Sequence, residues 1–284
     1  MAQCGQRGSG LIFTVFCRCP MWMTPLRRIL ERTMVSMRGQ AVTLLCMLCV
    51  TDLKIGYINI FGLKKKREAV HELISSEQLD LFAATETYHR TKKDKSIVDS
   101  TPTNYTCLEK ARKLTGNTTK GGGLALIYKT DYSCHRIRTT TDTFEALCAK
   151  FTINNGSAVV IVLLIYRPPG TPTCLFFREF ASVVQKLSSA PLSSLLIIGD
   201  CNVQLQSQGN VSTAKFIEIL YQLGTIQHIV QPTPRAGATL DLLVTSSKHD
   251  VYNLKIGPPN EYSDHCLIEF DFPISQTDKV RRAV

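Results

Sequence analysis

Two apolar runs, "SAVVIVLLIY" at 157–166 and "LLIIGD" at 195–200, constrain the fold more than any other stretch of this chain. Neither alternates with polar residues, so neither can present a wet face. The first is rich in β-branched side chains, which suit an extended backbone. Both read as strands covered on both faces, inside a layered domain. "RPPG" at 167–170 ends the first run, because proline fixes φ and donates nothing to a sheet. Between the two, "LFFREFASVVQKLSS" at 175–189 reads as an amphipathic helix.

The rest of the chain supplies more strands than helices. "LKIGYIN" (53–59), "LDLFAATET" (79–87), "GGGLALIYK" (121–129), "EALCAKFTI" (145–153), "ATLDLLVTS" (238–246) and "HCLIEFDF" (265–272) read as strands. The three glycines at 121–123 let backbone pass close to a neighbour. "LKKKREAVHELISSEQ" (63–78) has Val70, Leu73 and Ile74 at helical spacing, and "TAKFIEILYQLG" (213–224) is a helix closed by glycine. Residues 88–120 are polar and basic, with "RTKKDK" and "EKARK", and read as a long loop or insertion. The sum is about eight or nine strands and three helices within 53–274. Helices are too few for a doubly wound sheet, and consecutive strands imply partly antiparallel pairing. The layer solution is an α/β sandwich, two packed sheets with helices outside.

Composition adds bounds. At 284 residues, 44% hydrophobic and 20% charged, the chain has material for a core, and neither disorder nor a fibre is expected. The net charge is +10, which favours a polyanionic partner. Residues 1–51 hold six arginines and one acid, Glu31, and so carry +5; the remaining 27 lysines and arginines against 22 acids give another +5. The larger part is only mildly basic. Residues 1–52 are read as a poorly structured extension, despite a weak signal-like stretch at 37–50 and a transit-peptide-like composition, and 275–284 as a tail. The eleven cysteines lack framework spacing and are expected to be reduced, in the nucleus or cytoplasm. Cys46 and Cys49, a lone C-x-x-C, make a poor zinc site. No apolar run reaches the ~18–20 residues that span a bilayer, so no stable membrane partner is expected.

Several strands end alike, in a polar group of catalytic type. "YIN" ends at Asn59, "AATET" at Glu86, "LLIY" at Tyr166 and "IIGDCN" at Asp200 and Asn202. "TLDLL" carries Asp241 near its start, and "SDHCLIEF" sets Asp264 and His265 just before a strand. Each alone has a plain explanation, since an Asp after a strand is commonly a turn former. Together they can converge on one rim of a sandwich. Asn59 and Glu86 are hard oxygen ligands of the kind Mg²⁺ accepts. Asp200 and Asn202 flank Cys201, and in an extended segment would share a face and could hold and deprotonate a water. His265 can contact a phosphate oxygen, with Asp241 fixing its tautomer. This inventory suits metal-assisted phosphate-ester hydrolysis. An activated Ser or Cys pair and the G-x-x-x-x-G-K-[ST] loop are not found.

The order "YINIFGL", "ATETY", "GGGLALIY", "LLIYRPPG", "IIGDCN", "ATLDLLVTS", "SDHCLI" resembles the endonuclease/exonuclease/phosphatase superfamily, and more narrowly the endonuclease domain of non-LTR (LINE-type) retrotransposons. The likeness spans about residues 53–274. It implies a four-layer α/β sandwich with two mixed sheets, and an active site at the sheet rim. By matching motif it implies Glu86 as main metal ligand with Asn59 beside it and Asp264 as a further acidic residue there. Tyr166 would contact the phosphate or leaving group. Asp200 would activate water with Asn202 assisting, and His265, paired with Asp241, would contact the phosphate. The implied activity is a Mg²⁺-dependent nick in DNA, with Mn²⁺ as an alternative cation, that leaves a 3′-hydroxyl and a 5′-phosphate.

Departures from the pattern are visible. Phe61 stands where the apurinic-site repair branch carries an aspartate, and Cys201 where "GDFN" has an aromatic. The reverse transcriptase that follows such a domain is absent from the sequence. Lys92, Lys93, Lys95 and Arg167 are candidates for DNA backbone contacts. Two other readings stand beside the nuclease: a phosphatase or phosphodiesterase acting on a small phosphoester or phospholipid, and an inactive nucleic-acid-binding remnant.

Overall fold

In the computed structural model of the chain, the longest apolar run sends alternate side chains to opposite sides. Along β7 (Ala158–Tyr166), Val160, Val162 and Leu164 enter one core, while Ile161, Leu163 and Ile165 enter another. This is why the run shows no polar period: both faces are dry. The structure describes residues 51–91, 93–112, 121–153, 158–188, 194–206, 209–234 and 237–274. The readings made for residues 1–50, for the Cys46–Cys49 pair, for Lys92 and for 275–284 fall outside them. The chain divides into two units, Met1–Val50 and Thr51–Val284, and the second contains every described strand and helix.

The remaining strands are β1 (Thr51–Asn59), β2 (Leu81–Thr85), β3 (Tyr105–Lys110), β4 (Leu124–Lys129), β5 (Ser133–Ile137), β6 (Glu145–Ile153), β8 (Ser194–Asp200), β9 (Thr225–Gln227), β10 (Asp241–Ser246), β11 (Tyr252–Ile256) and β12 (Ile268–Ile274). The helices are α1 (Arg67–Ser76), α2 (Lys95–Ser100), α3 (Thr173–Ser188) and α4 (Val211–Gln222). One six-stranded sheet runs β11-β12-β1-β2-β4-β3 and the other β5-β6-β7-β8-β10-β9. Ile55, Tyr57 and Phe270 of the first sheet meet Leu147, Val162 and Ile198 of the second in a central core. On the outer face of the first sheet, Ile58, Phe82 and Ile127 pack against Val70, Leu73 and Ile74 of α1 and Ile97 of α2. On the outer face of the second, Ile161, Ile197 and Val244 pack against Phe176, Phe180 and Val184 of α3 and Phe216 of α4. The result is four layers, helix–sheet–sheet–helix, with both sheets mixed.

Local signals place the helices. Asn210 caps α4, its side chain accepting from the Ser212 N–H at 2.9 Å, which satisfies one of the donors a helix start leaves open. Gly224, at φ +65°, ends it in the left-handed conformation that glycine adopts without strain. Phe216 stacks on Phe177 at 5.0 Å between ring centres and 12° between planes. Truncating a buried Phe to Ala in such a cluster costs ~3–5 kcal/mol.

The stretch 88–120 is not a loop throughout. Asp94 accepts from the Ser96 N–H at 3.0 Å and starts α2, and β3 follows as an edge strand against β4. Twelve strands and four helices are present among the described residues, against the smaller number expected. The cysteines among the described residues are free thiols.

Candidate active site

Strand direction gathers the polar strand ends. β1 and β2 are parallel, pairing Asn59 with Thr85, so Asn59 and Glu86 leave the first sheet side by side. β12 runs antiparallel to β1, with Ile268 opposite Tyr57, so the segment before it returns to the same rim with His265. In the second sheet β7 and β8 are parallel, pairing Tyr166 with Asp200. β10 is antiparallel to β8 and pairs its first residue, Asp241, with Asp200. Sheet packing then sets the two rims face to face.

Hydrogen bonds cross between the sheets. Asn59, buried, donates from Nδ2 to Glu86 Oε1 at 2.9 Å and to Asp200 Oδ2 at 2.9 Å. Glu86 Oε2 accepts from the Tyr88 hydroxyl at 2.9 Å. Asp200 Oδ1 accepts from the Asn202 N–H at 2.9 Å. Asp241, fully buried, accepts from the Tyr57 hydroxyl at 2.8 Å on Oδ1 and lies 2.9 Å from His265 Nδ1 on Oδ2. His265 Nε2 stands 4.0 Å from Asp200 Oδ2. Ser263 ties this turn down, donating to the Asn59 carbonyl at 2.5 Å and accepting from the His265 N–H at 3.0 Å.

The charges are strongly coupled. Burial disfavours charge on His265, but the hydrogen bond to Asp241 and the Asp241, Asp200 and Asp264 carboxylates outweigh it and push the imidazole up to about 9. Burial and the Asp241 charge push the Asp200 carboxyl up to about 7, against the pull of His265 and of the donors from Asn202 and Asn59. Burial raises the Tyr57, Tyr88 and Tyr166 phenols; Asp241 and Asp200 add to this at Tyr57, Glu86 at Tyr88, and Glu86 and Asp200 at Tyr166. All three therefore act as neutral donors.

The rim is built on costly backbone. Phe61, Glu86, Tyr88 and Asn202 have φ between +46° and +59°, and each such non-glycine residue costs ~1–3 kcal/mol. Gly199, at φ +147°, precedes Asp200. A Cβ there would overlap the Ile165 carbonyl, so glycine lets β8 close on β7 and align Asp200 with Tyr166. Gly122, also at positive φ, leaves room for the Arg112–Glu145 ion pair, which a Cβ would displace. The Arg112 guanidinium lies 5.3 Å from the Tyr166 ring centre, and Glu145, paired with Tyr166 across β6 and β7, also accepts from the Gly123 N–H at 2.8 Å.

Three expectations change. Asn202 lies beyond the end of β8 at φ +48°, so strand alternation does not place it beside Asp200. Its amide donates to the Arg167 carbonyl at 2.7 Å, while its backbone N–H serves Asp200. Arg167 does not face a DNA backbone: it is buried, donating to the Cys201 and Asn202 carbonyls at 3.1 and 2.9 Å and to Thr171 and Thr173. It braces the turn that carries Asp200. Asp264 is exposed, outside the buried cluster, and acts on Tyr88 and His265 through its charge. Lys93 and Lys95 are exposed at the start of α2, Lys93 lining a cleft with Glu109 and Arg136. Cys201 points into the core beneath α3 and α4.

The Endonuclease/Exonuclease/phosphatase family matches residues 56–265. The chain belongs to this family. No curated protein matches the sequence. Among solved structures, an AP endonuclease from Leishmania major is similar, with a TM-score of 0.63 at 14% identity, covering 78% of this chain and 88% of that one. The endonuclease domain of TRAS1, a telomere-specific non-LTR retrotransposon, has a TM-score of 0.57 at 13% identity, covering 79% and 99%. A 3′ phosphatase from Neisseria bound to a product DNA hairpin gives 0.57 at 13%, covering 78% and 99%. These likenesses establish the shared sandwich. The chain is thus a family hydrolase of phosphoester bonds with its acidic strand ends on one rim.

Two groups of this family member could hold a cation. Asp200, Asp241 and His265 each offer a ligand atom, all within 4.8 Å of one another, but the contact with Asp241 already occupies His265 Nδ1. Glu86 is the least buried carboxylate of the hydrogen-bonded cluster, and its carboxylate accepts from Asn59, Tyr88 and Tyr166. Several carboxylates share the rim with one imidazole, raising Asp200 and the tyrosines. Hard oxygen donors with excess negative charge fit a divalent cation. Sequence patterns did not reveal Tyr57, Tyr88, Ser263, Arg112 or Glu145. Tyr57, Tyr88 and Ser263 stand inside the segments "YINIFGL", "ATETY" and "SDHCLI", but Tyr57 and Ser263 find Asp241 and the Asn59 carbonyl elsewhere in the chain.

Proposed function

We propose that this protein is a Mg²⁺-dependent phosphodiesterase that nicks DNA in the manner of non-LTR retrotransposon endonucleases, leaving a 3′-hydroxyl and a 5′-phosphate. The observation that carries this reading is the bridge across the two sheets, Glu86–Asn59–Asp200, with the His265–Asp241–Tyr57 chain beside it. Asp200 accepts the proton of a water that attacks phosphorus in line. Asn59 fixes the spacing of Asp200 and Glu86 by donating to both. The His265 imidazolium, held charged and oriented by Asp241, donates from Nε2 to a non-bridging phosphate oxygen. The neutral Tyr166 hydroxyl donates toward the phosphate or the departing 3′ oxygen. Glu86 and Asn59 are the residues that would hold Mg²⁺, which when bound neutralises charge on the phosphate and the leaving oxygen. A net charge of +10 supports a polyanionic substrate.

A plasmid-nicking assay on the full chain, with Mg²⁺, with EDTA and with Glu86→Ala, tests this. Nicking that requires both the cation and Glu86 is the expected result. A folded protein that leaves DNA intact while hydrolysing a small phosphoester would replace the endonuclease with a phosphatase of the same family.

A further inference from the structure

Phe61 is placed as a core aromatic would not be. It is 56% exposed, and its φ of +46° is unfavourable for any residue with a Cβ. The surroundings hold it there. Its N–H donates to Asn59 Oδ1 at 3.2 Å, so it sits directly on the catalytic bridge. Lys66 Nζ closes the turn, donating to the Ile60 carbonyl at 2.5 Å and the Phe61 carbonyl at 3.5 Å. Gly62 donates to the Glu86 carbonyl at 2.8 Å, and its Cα packs against Tyr88, where even a Cβ would lie 3.2 Å from the ring. Tyr88 meets Phe61 edge to face, 5.6 Å between centres and 61° between planes, while its hydroxyl holds Glu86. The next residues outward, Lys64 and Lys65, are both exposed.

We propose that Phe61, backed by Tyr88 and flanked by Lys64 and Lys65, is a stacking platform for an unpaired nucleobase beside the scissile phosphate. The proposal rests on the nuclease reading and narrows its substrate. An open aromatic face next to exposed cations is the combination that holds single-stranded nucleic acid, the ring stacking on a base and the lysines following the backbone. A small phosphoester offers the ring nothing to stack on. A fully paired duplex keeps its base faces covered by their neighbours. The preferred DNA is therefore locally unpaired next to the nick, as at a bubble, flap or frayed end.

The test is binding by the full chain in EDTA, so that no cleavage intervenes. The probes are a bubble oligonucleotide carrying a fluorescent purine analogue at the unpaired position, and its fully paired counterpart. Wild type should quench the analogue on binding. Phe61→Leu, of similar bulk but without a π face, should lose the quenching and bind the bubble about tenfold more weakly, the scale of one base–aromatic stack. Phe61→Trp should keep both. Paired duplex should bind all three alike. Lys64→Ala with Lys65→Ala should make bubble affinity less salt-dependent. Unaltered quenching and affinity in Phe61→Leu, with an unaltered melting temperature, would remove the platform and leave the nuclease intact. Failure of wild type to bind either oligonucleotide would remove both.

Discussion

Replacing Asp241 by Asn isolates how the buried pair sets the chemistry. The substitution keeps shape and can keep the Tyr57 hydrogen bond at 2.8 Å. It removes the charge that lies 2.9 Å from His265 Nδ1, and sets an amide N–H against that nitrogen. Burial alone depresses a histidine, yet His265 stands at about 9 against an ordinary 6.5, with Asp241 the first of the raising groups. That gap corresponds to on the order of 3 kcal/mol of preference for the imidazolium. In Asp241→Asn the imidazole should titrate at or below 6.5, because burial is then opposed only by the more distant Asp200 and Asp264. The raised folded-state value also means that this stability is present in full below about 6.5 and lost as pH rises through about 9. Cation-free wild type should therefore weaken across that window, and the variant should not. Asp200, no longer pushed by Asp241, should ionise below about 7. The pH range of phosphodiester hydrolysis should slide to acid, with a peak rate lower by ~10²-fold or more, as for loss of a general acid–base partner. Imidazole titration by NMR in EDTA is the direct assay. An imidazole that still titrates near 9 in the variant would refute the assignment of Asp241 as its electrostatic support.

Neighbouring contacts give further outcomes. Tyr57→Phe takes the phenol donor away from the buried Asp241 Oδ1; chemical unfolding should show a loss of ~1.5–3 kcal/mol, with a lowered hydrolysis rate and unchanged affinity. Gly199→Ala forces a Cβ against the Ile165 carbonyl at φ +147°; the variant should be poorly folded by circular dichroism, whereas Gly170→Ala, strained at φ +84° but with open space around it, should fold with a loss of only ~1–3 kcal/mol. Arg167→Lys loses the fork that braces carbonyls of the Asp200 turn; kcat should fall while the salt dependence of DNA affinity stays unchanged. A reduced salt slope would return Arg167 to the DNA surface.

What the sequence could determine was set by burial on both faces. "SAVVIVLLIY", "LLIIGD" and "LKIGYIN" are interior strands whose alternate residues serve two different cores, so their apolar runs are long and continuous. The helix faces of α1, α3 and α4 repeat at helical spacing for the same reason. The strands that escaped notice, β3, β5, β9 and β11, are the four sheet edges. Their side chains are largely half-buried or exposed, and a neighbouring strand rather than their own composition holds them extended. At the site, strand-end polar residues were readable because an apolar run stopping at a carboxylate is a local event. Tertiary structure alone decided which would touch. The parallel pairing of β1 with β2 and of β7 with β8, and the antiparallel return of β10 and β12, bring Asn59 to Glu86 and Asp200, and Asp241 to His265. It also turned Arg167 inward and Asn202 out of the strand, and supplied Tyr57, Ser263 and the Arg112–Glu145 pair. Those roles depend on partners between 33 and 204 positions away in the chain, and no local pattern carries such distances.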